Sequence, residues 1–120
     1  MNMYYQLFSN ITAQYPNELD AIKTIQTLFD KKGTEYNLDG LANVAHPNSA
    51  LALTSILNML VSAGYIRKTF RVISPTDAGG LLEAQSINDI PEFIEDLKGN
   101  GESFAVSLEN IKIIYKSAAL

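Results

Sequence analysis

The stretch that decides the fold runs from residue 38 to residue 74. It reads LDGLANVA (38–45), HPNS (46–49), ALALTSILNMLVSAGYI (50–66) and RKTFRVIS (67–74). Apolar residues recur at helical spacing on both sides of Pro47, which disfavours helix in the residue before it. Gly64 suits a left-handed helix stop, and the β-branched and aromatic residues after it favour a strand. The stretch therefore predicts a short helix, a turn, a longer helix and a strand.

The longer helix, over 48–63, has an apolar side and a small polar side. Either Asn48 or Ser49 can cap its N-terminus, because both side chains accept a backbone N–H bond. The spacing predicts that one set of residues is buried: Leu53, Ile56, Leu57 and Leu60. It directs another set outward, none of them charged: Asn48, Ser49, Ala52, Thr54, Ser55 and Asn58.

Two further helices are predicted before residue 38. Apolar residues at helical spacing between Tyr4 and Tyr15 give the first, which ends at Pro16. The second begins after Asn17, whose side chain could cap it, and has Gly33 as its C-terminal residue. Its predicted buried stripe includes Ile22, Ile25 and Phe29.

In this layout, and in the sequence Ser-Ala-Gly-Tyr-Ile at 62–66, residues 20–74 resemble the winged helix-turn-helix superfamily. The resemblance implies that helix 48–63 is the element that would enter a DNA groove and that 67–71 begins the wing. In a DNA-binding member, polar residues of that helix contact base edges and cations grip phosphate. The chain has a single basic cluster for the latter role: Arg67, Lys68 and Arg71.

Beyond residue 74 the pattern is strand-like and interrupted by two turns, 74–79 and 96–101. Strands are predicted over 81–86, 104–108 and 111–116, and a short helix or turn over 87–94. This region resembles a small ribbon found beside winged helices in some bacterial proteins, in which two cysteine-bearing turns hold zinc ahead of a sequence like Asp-Ile-Pro-Glu-Phe-Ile (89–94). The chain has no cysteine, so the resemblance implies that the zinc has been lost and that apolar packing replaces it.

The fold class predicted from these segments is α+β. Residues 1–74 would form a winged-helix domain with an additional N-terminal helix, and 75–120 a small β-rich lobe packed on it. The chain is 47% hydrophobic and 18% charged, which predicts an ordered core. Because it has neither a membrane-length apolar run nor a signal-peptide pattern, we expect a soluble cytoplasmic protein with no membrane partner.

Nothing in the sequence points to catalysis. The single histidine, His46, lies in a turn with no second histidine to act beside it, and phosphate-loop, dinucleotide and Gly-x-Ser-x-Gly motifs are absent. Four acids could be imagined as a metal cluster, but at helical spacing Glu92 and Glu95 are typical of a solvated face. We expect no enzyme activity, no cofactor and no metal. The four acids are Asp89, Glu92, Glu95 and Asp96.

Two functional hypotheses remain open. The first is a non-enzymatic regulatory module, an adaptor or inhibitor, that docks a protein partner through helix 48–63 or its acidic ribbon. An acidic inhibitor could also occupy a basic nucleic-acid site on an enzyme. The second is a transcriptional regulator that binds duplex DNA with helix 48–63 and the basic wing 67–71. The charge distribution favours the first, because helix 48–63 has no positive charge and residues 72–110 contain eight acids and one lysine, which leaves 67–71 as the place where phosphate could bind.

Two local questions accompany these hypotheses. The three cations at 67–71 either contact phosphate or protect an edge strand from pairing with another chain. Residues 1–15 carry more apolar surface than one face of a short helix needs, which predicts a homodimer through this segment. The alternative is that they cap their own core. The residues that suggest the dimer are Tyr4, Tyr5, Leu7, Phe8 and Ile11.

Overall fold

The computed structural model describes residues 4–76 and 79–118, and within these residues the fold is α+β. The helices are α1 (Tyr5–Gln14), α2 (Leu19–Phe29), α3 (Leu38–Ala45) and α4 (Ala50–Ser62). The strands are β1 (Glu35–Asn37), β2 (Ile66–Ile73), β3 (Gly80–Ala84), β4 (Phe93–Glu95), β5 (Ser103–Ala105) and β6 (Ile111–Ser117). One sheet has the strand order β1-β6-β2-β3, and a second consists of β4 and β5.

The chain forms two compact units. The first, here called the helical unit, contains the residues up to Arg67 together with those from Tyr115 onward; the second, the β unit, is Lys68–Ile114. Strands β2 and β6 therefore each have residues in both units, and this division differs from the predicted ranges 1–74 and 75–120. Met1–Met3, in the predicted dimer segment, and Asp77 and Ala78, in the first predicted turn, lie outside the described residues.

The core of the helical unit confirms the predicted apolar stripes. All four inward residues of α4 and the three named residues of α2 are buried, and α1, α3 and the strands complete the cluster. Burial of each such side chain is worth about 1.5–3 kcal/mol, so this cluster is the main source of the unit's stability. The buried set contributed by α2 and α4 is Ile22, Ile25, Phe29, Leu53, Ile56, Leu57 and Leu60.

The ends of α2 correct two predictions. The predicted cap at Asn17 is wrong, because a 3₁₀ turn at Pro16–Glu18 precedes the helix and Glu18 occupies the N-cap position, where its side chain accepts no bond from the amides of α2. Gly33 is not the C-terminal residue either. The helix ends at Phe29, and Gly33, with φ +76°, forms the turn before β1, a strand that the sequence pattern did not predict.

The connections around α4 follow the predicted chemistry. His46 ends α3 in the left-handed region, with φ 49°, immediately before Pro47. Ser49 is the cap: its side chain accepts a bond of 3.1 Å from the amide of Ala52. At the other end Gly64 is left-handed, with φ +79°. The amide of Tyr65 donates to the Leu60 carbonyl and its hydroxyl to the Asp30 carboxylate at 2.6 Å, which fixes the chain as it enters β2.

The β unit has a small apolar interior. Strands β2 and β3 pair antiparallel, with Val72 opposite Leu82, and β4 and β5 pair antiparallel, with Ile94 opposite Phe104. The predicted short helix or turn over 87–94 is correct for the 3₁₀ turn at Ile87–Asp89 but wrong for its last residues, which begin β4. The helical spacing inferred for Glu92 and Glu95 is wrong for the same reason: residues 93–95 alternate as a strand does.

Candidate interaction surface on α4

Helix α4 carries the polar residues that the sequence directs outward. Asn48, Ser49 and Asn58 are exposed, whereas Ala52, Thr54 and Ser55 are half-buried. The Thr54 hydroxyl donates to the carbonyl of Ala50 at 3.1 Å, one turn back along the helix. Its donor is thus used within the helix, which leaves the amide of Asn58 as the side chain of this face with most hydrogen-bonding capacity.

Sequence reasoning missed Leu51. This side chain is 83% exposed, although the residue lies in the most apolar part of the chain. A helical turn of 3.6 residues places Leu51 nearly opposite Leu53, so the buried stripe that begins at Leu53 could have identified it. An exposed leucine among small and polar residues gives α4 an apolar point of contact.

A buried carboxylate occupies the N-terminus of α4. Glu18 is only 4% exposed, and its two oxygens accept the backbone N–H groups of Asn48, at 2.7 Å, and Ser49, at 3.4 Å. The side-chain amide of Asn48 donates in turn to the carbonyl of Asn17. The N-terminus of a helix attracts anions because its N–H groups and its dipole both favour negative charge. In α4 that position already holds the chain's own anion.

The same turn borders a cleft of about 210 Å³ beside α4. Tyr15 and Pro16, which follow α1, line it on one side, and Ser49 and Ala52, at the start of α4, line it on the other. Two rings thus face small residues across the cleft, and Glu18 also lines it.

The three basic residues differ in their surroundings. Arg67, in the helical unit, is exposed. In the β unit, the Lys68 ammonium lies 5.6 Å from the centre of the Phe70 ring, and the Arg71 guanidinium pairs with Glu83 on β3 at 3.0 Å. Because side chains alternate along a strand, Lys68 and Arg71 lie on opposite faces of β2.

The sheet bears on the alternative that these cations protect an edge strand. Strand β2 lies between β6 and β3 in the sheet order, and its residues Phe70–Ile73 pair with β3. Arg71 therefore lies in a paired segment, whereas for Arg67 and Lys68 both alternatives stay predictions.

The two predicted turns of the β unit are joined at Asp96. This carboxylate is 2% exposed; one oxygen accepts the Thr76 hydroxyl at 2.8 Å and the other the Gly99 amide at 3.0 Å. The pKa of Asp96 lies below its ordinary value, mainly because the Ser74 hydroxyl donates a hydrogen bond to the carboxylate. The Thr76 hydroxyl and the amides of Gly99 and Lys98 lower the pKa further, whereas burial raises it. The expected apolar replacement for zinc is therefore wrong here, because a polar network links these turns.

Within residues 4–76 and 79–118, no group of three or more histidine, cysteine or acidic residues is arranged to hold a metal ion. Nor is any helix in the same residues long and apolar enough to cross a membrane. His46 is exposed at the end of α3.

The N-terminal helix uses most of its apolar surface within its own unit. Phe8 and Ile11 are buried, and Tyr4 and Leu7 pack against the core. Tyr5 is 73% exposed. The excess apolar surface that suggested a dimer is therefore reduced mainly to Tyr5, and the homodimer through residues 1–15 stays a prediction.

Comparison with protein-family models, curated proteins and solved structures finds no match to this chain.

Proposed function

We propose that the chain is a non-enzymatic winged-helix module that binds a protein partner through α4, as an adaptor or inhibitor. The winged-helix assignment is supported by the element order α2, β1, α3, α4, β2, in which a strand precedes the two helices of the turn and another follows them. It is further supported by the capped helix start at Ser49 and the left-handed stop at Gly64.

The observation that carries the proposal is the Glu18 carboxylate at the N-terminus of α4. A helix that binds DNA commonly places its N-terminal amides against a phosphate, because these amides favour an anion. Here Glu18 accepts the amides of Asn48 and Ser49, the two residues immediately before the first residue of α4, and the Ser49 hydroxyl accepts the amide of Ala52 in the first turn. A phosphate beside the start of α4 would meet these occupied donors and a like charge, which disfavours DNA there.

The rest of the α4 surface supports a protein partner. No residue of Ala50–Ser62 is charged, so the helix offers nothing to neutralise a phosphate backbone. Leu51 is instead an exposed apolar side chain of the kind that a protein partner can desolvate. The cleft beside Ser49 and Ala52 can receive a side chain of the same partner.

A DNA-binding regulator is the second candidate, favoured by two specific observations. Asn58 is exposed on α4 and Asn48 just before it, and an asparagine amide can read adenine in the major groove, although the Asn48 amide already donates to the Asn17 carbonyl. Arg67 is exposed where the wing would begin. Against this candidate, Arg71 is paired with Glu83, so a phosphate would have to compete with a carboxylate 3.0 Å away.

Fluorescence anisotropy with a labelled random duplex, titrated at several salt concentrations, tests the proposal. We expect no submicromolar binding at physiological salt. The triple variant Arg67→Ala, Lys68→Ala, Arg71→Ala should behave like the wild type. If the chain instead binds duplex, this variant would lower the slope of log affinity against log salt by up to about three, since each lost phosphate contact removes about 0.9.

A gain-of-charge variant sharpens the same experiment. Leu51→Lys places a cation in the middle of the α4 face, and a helix that enters a groove should then bind duplex more tightly. Leu108→Lys, at another exposed leucine, is the matched control for the added charge. Tighter duplex binding by Leu51→Lys than by the control would contradict the protein-docking proposal and favour the regulator.

A further inference from the structure

The outward face of the β4–β5 hairpin presents an exposed aromatic ring. Phe93 is 65% exposed, whereas its neighbour Ile94 is half-buried opposite Phe104. Alternation along the strand places Glu95 on the same face as Phe93. Their partners across the hairpin are the small residues Ala105 and Ser103, so little side-chain bulk covers this face.

The hydrogen bonds of the hairpin fix how close these side chains lie. The Val106 amide donates to the Glu92 carbonyl, and the Asp96 amide to the Glu102 carbonyl. Bonded pairs alternate with non-bonded pairs in an antiparallel ladder. Phe93 and Ala105 are therefore a non-bonded pair, in which side chains come closest, and the alanine leaves the adjacent ring face open.

The charge of the chain is concentrated in the β unit. By sequence, the helical unit has five acidic and five basic residues, whereas the β unit has eight acidic and four basic ones. All of the net charge of −4 therefore belongs to the β unit. Glu92 and Glu95, which flank the Phe93–Ile94 pair in sequence, are both exposed. The surroundings of the ring thus favour a cation and repel nucleic acid.

We propose that the Phe93 face of the β4–β5 hairpin binds an arginine-rich segment of a protein partner. An arginine guanidinium stacks on an aromatic ring and pairs with a carboxylate, and Phe93 and Glu95 offer both groups on one face. Lys68 over Phe70 is a cation–ring contact of this kind within the same unit. This surface is not part of α4. The inference rests on the interaction function proposed above and specifies the chemistry of the partner, a protein segment rich in arginine.

The test uses the full-length chain and a fluorescein-labelled nona-arginine peptide at about 0.15 M salt, where exposed charges are screened beyond about 8 Å. We expect the wild type to bind and Phe93→Ala to bind about fivefold more weakly, since a cation–ring contact is lost. The matched control is Leu108→Ala, which removes another exposed apolar side chain of the same unit and leaves the charge unchanged. This control should bind as the wild type does.

Two further readouts locate the contact and separate the two proposals. Chemical-shift changes in a ¹H–¹⁵N spectrum should centre on Phe93, Glu95, Ser103 and Ala105, and Leu51→Ala should not alter peptide binding. Failure of this test therefore leaves the α4 proposal unaffected. Equal binding by Phe93→Ala and wild type would reduce the interaction to general charge attraction and overturn the inference. No binding by the wild type, or equal affinity for a nona-lysine peptide, would also overturn it.

Discussion

The helical unit and the β unit achieve order in different ways. The helical unit buries leucine, isoleucine and aromatic side chains from four helices in one cluster. The β unit has few fully buried apolar residues, and its two turns meet at a buried carboxylate with hydroxyl and amide donors. Apolar burial is non-directional, whereas a hydrogen-bonded carboxylate depends on the position of each donor. The stability of the β unit should therefore depend on the position of individual donor atoms around this carboxylate.

The largest expected effect is in the helical core. Leu57→Ala should lower the free energy of unfolding by about 2–5 kcal/mol, because it removes a fully buried side chain and leaves a cavity. Leu51→Ala is the control on the same helix, and it should change stability by no more than about 0.5 kcal/mol because Leu51 is exposed. Urea unfolding monitored by circular dichroism measures both. Similar losses for the two variants would contradict the burial pattern of α4.

A single methyl group should disturb the β unit. A Cβ at Gly99 would collide with the Thr76 hydroxyl oxygen and an Asp96 carboxylate oxygen, so in Gly99→Ala these side chains must move and the hydrogen bonds between the two turns are disturbed. We expect a loss of about 1–3 kcal/mol, with faster amide exchange at residues 96–101. Lys98→Ala, in the same turn, should stay within about 0.5 kcal/mol. Unchanged exchange in Gly99→Ala would show that the turns tolerate separation.

Glu18 links the stability of the helical unit to the question of anion binding. Glu18→Ala should cost about 0.5–2 kcal/mol, the usual effect of losing an acceptor at a helix N-terminus. Because it frees the amides of Asn48 and Ser49, sulfate should raise the unfolding midpoint of this variant more than that of the wild type. Glu18→Gln keeps an acceptor oxygen and should lose less stability. An equal sulfate effect on Glu18→Ala and wild type would mean that the carboxylate does not block an anion site.

The smallest expected effect is the pH dependence of the β unit. The pKa of Asp96 is lower in the folded chain than its ordinary value, mainly because the Ser74 hydroxyl donates to the carboxylate. Its contribution is complete above the unfolded pKa of about 3.9 and is lost as the pH falls through the folded pKa. Thermal unfolding at pH 6 and pH 2.5 should show a loss of stability in the wild type that Asp96→Asn lacks. The same pH dependence in both would assign the acid sensitivity to other groups.

Local periodicity explains which parts of this fold could be predicted. The 3.6-residue spacing of Leu53, Ile56, Leu57 and Leu60 specifies both helix and buried face, and Gly64 specifies its end. Strands of three residues such as β4 contain too few positions for a period to be recognised, so β4 was interpreted as a helix or turn. The placement of β6 between β1 and β2 depends on pairing between distant segments, which no local pattern encodes.

The candidate surfaces show the same limit. The uncharged outward residues of α4 could be predicted from helical spacing alone. The Glu18 carboxylate, which binds the amides just before α4, lies about thirty positions away from Asn48 in the sequence. Its contact is set by tertiary packing and not by a local pattern. The sequence places Asp96 beside other acids and at the start of the second turn, but nothing in its local sequence indicates that Ser74 and Thr76 will reach it.

The last strand of the helical unit has a consequence for synthesis on the ribosome. Tyr115 is buried in the core that α1, α2 and α4 build, and the Ser117 amide donates to the Thr34 carbonyl at 2.9 Å. All of the β unit is translated between Arg67 and Tyr115. At about 5–20 residues per second, the nascent helices wait on the order of a few seconds for the strand that completes their core. During that interval the apolar surface that Tyr115 later covers is exposed, and chaperones can bind it.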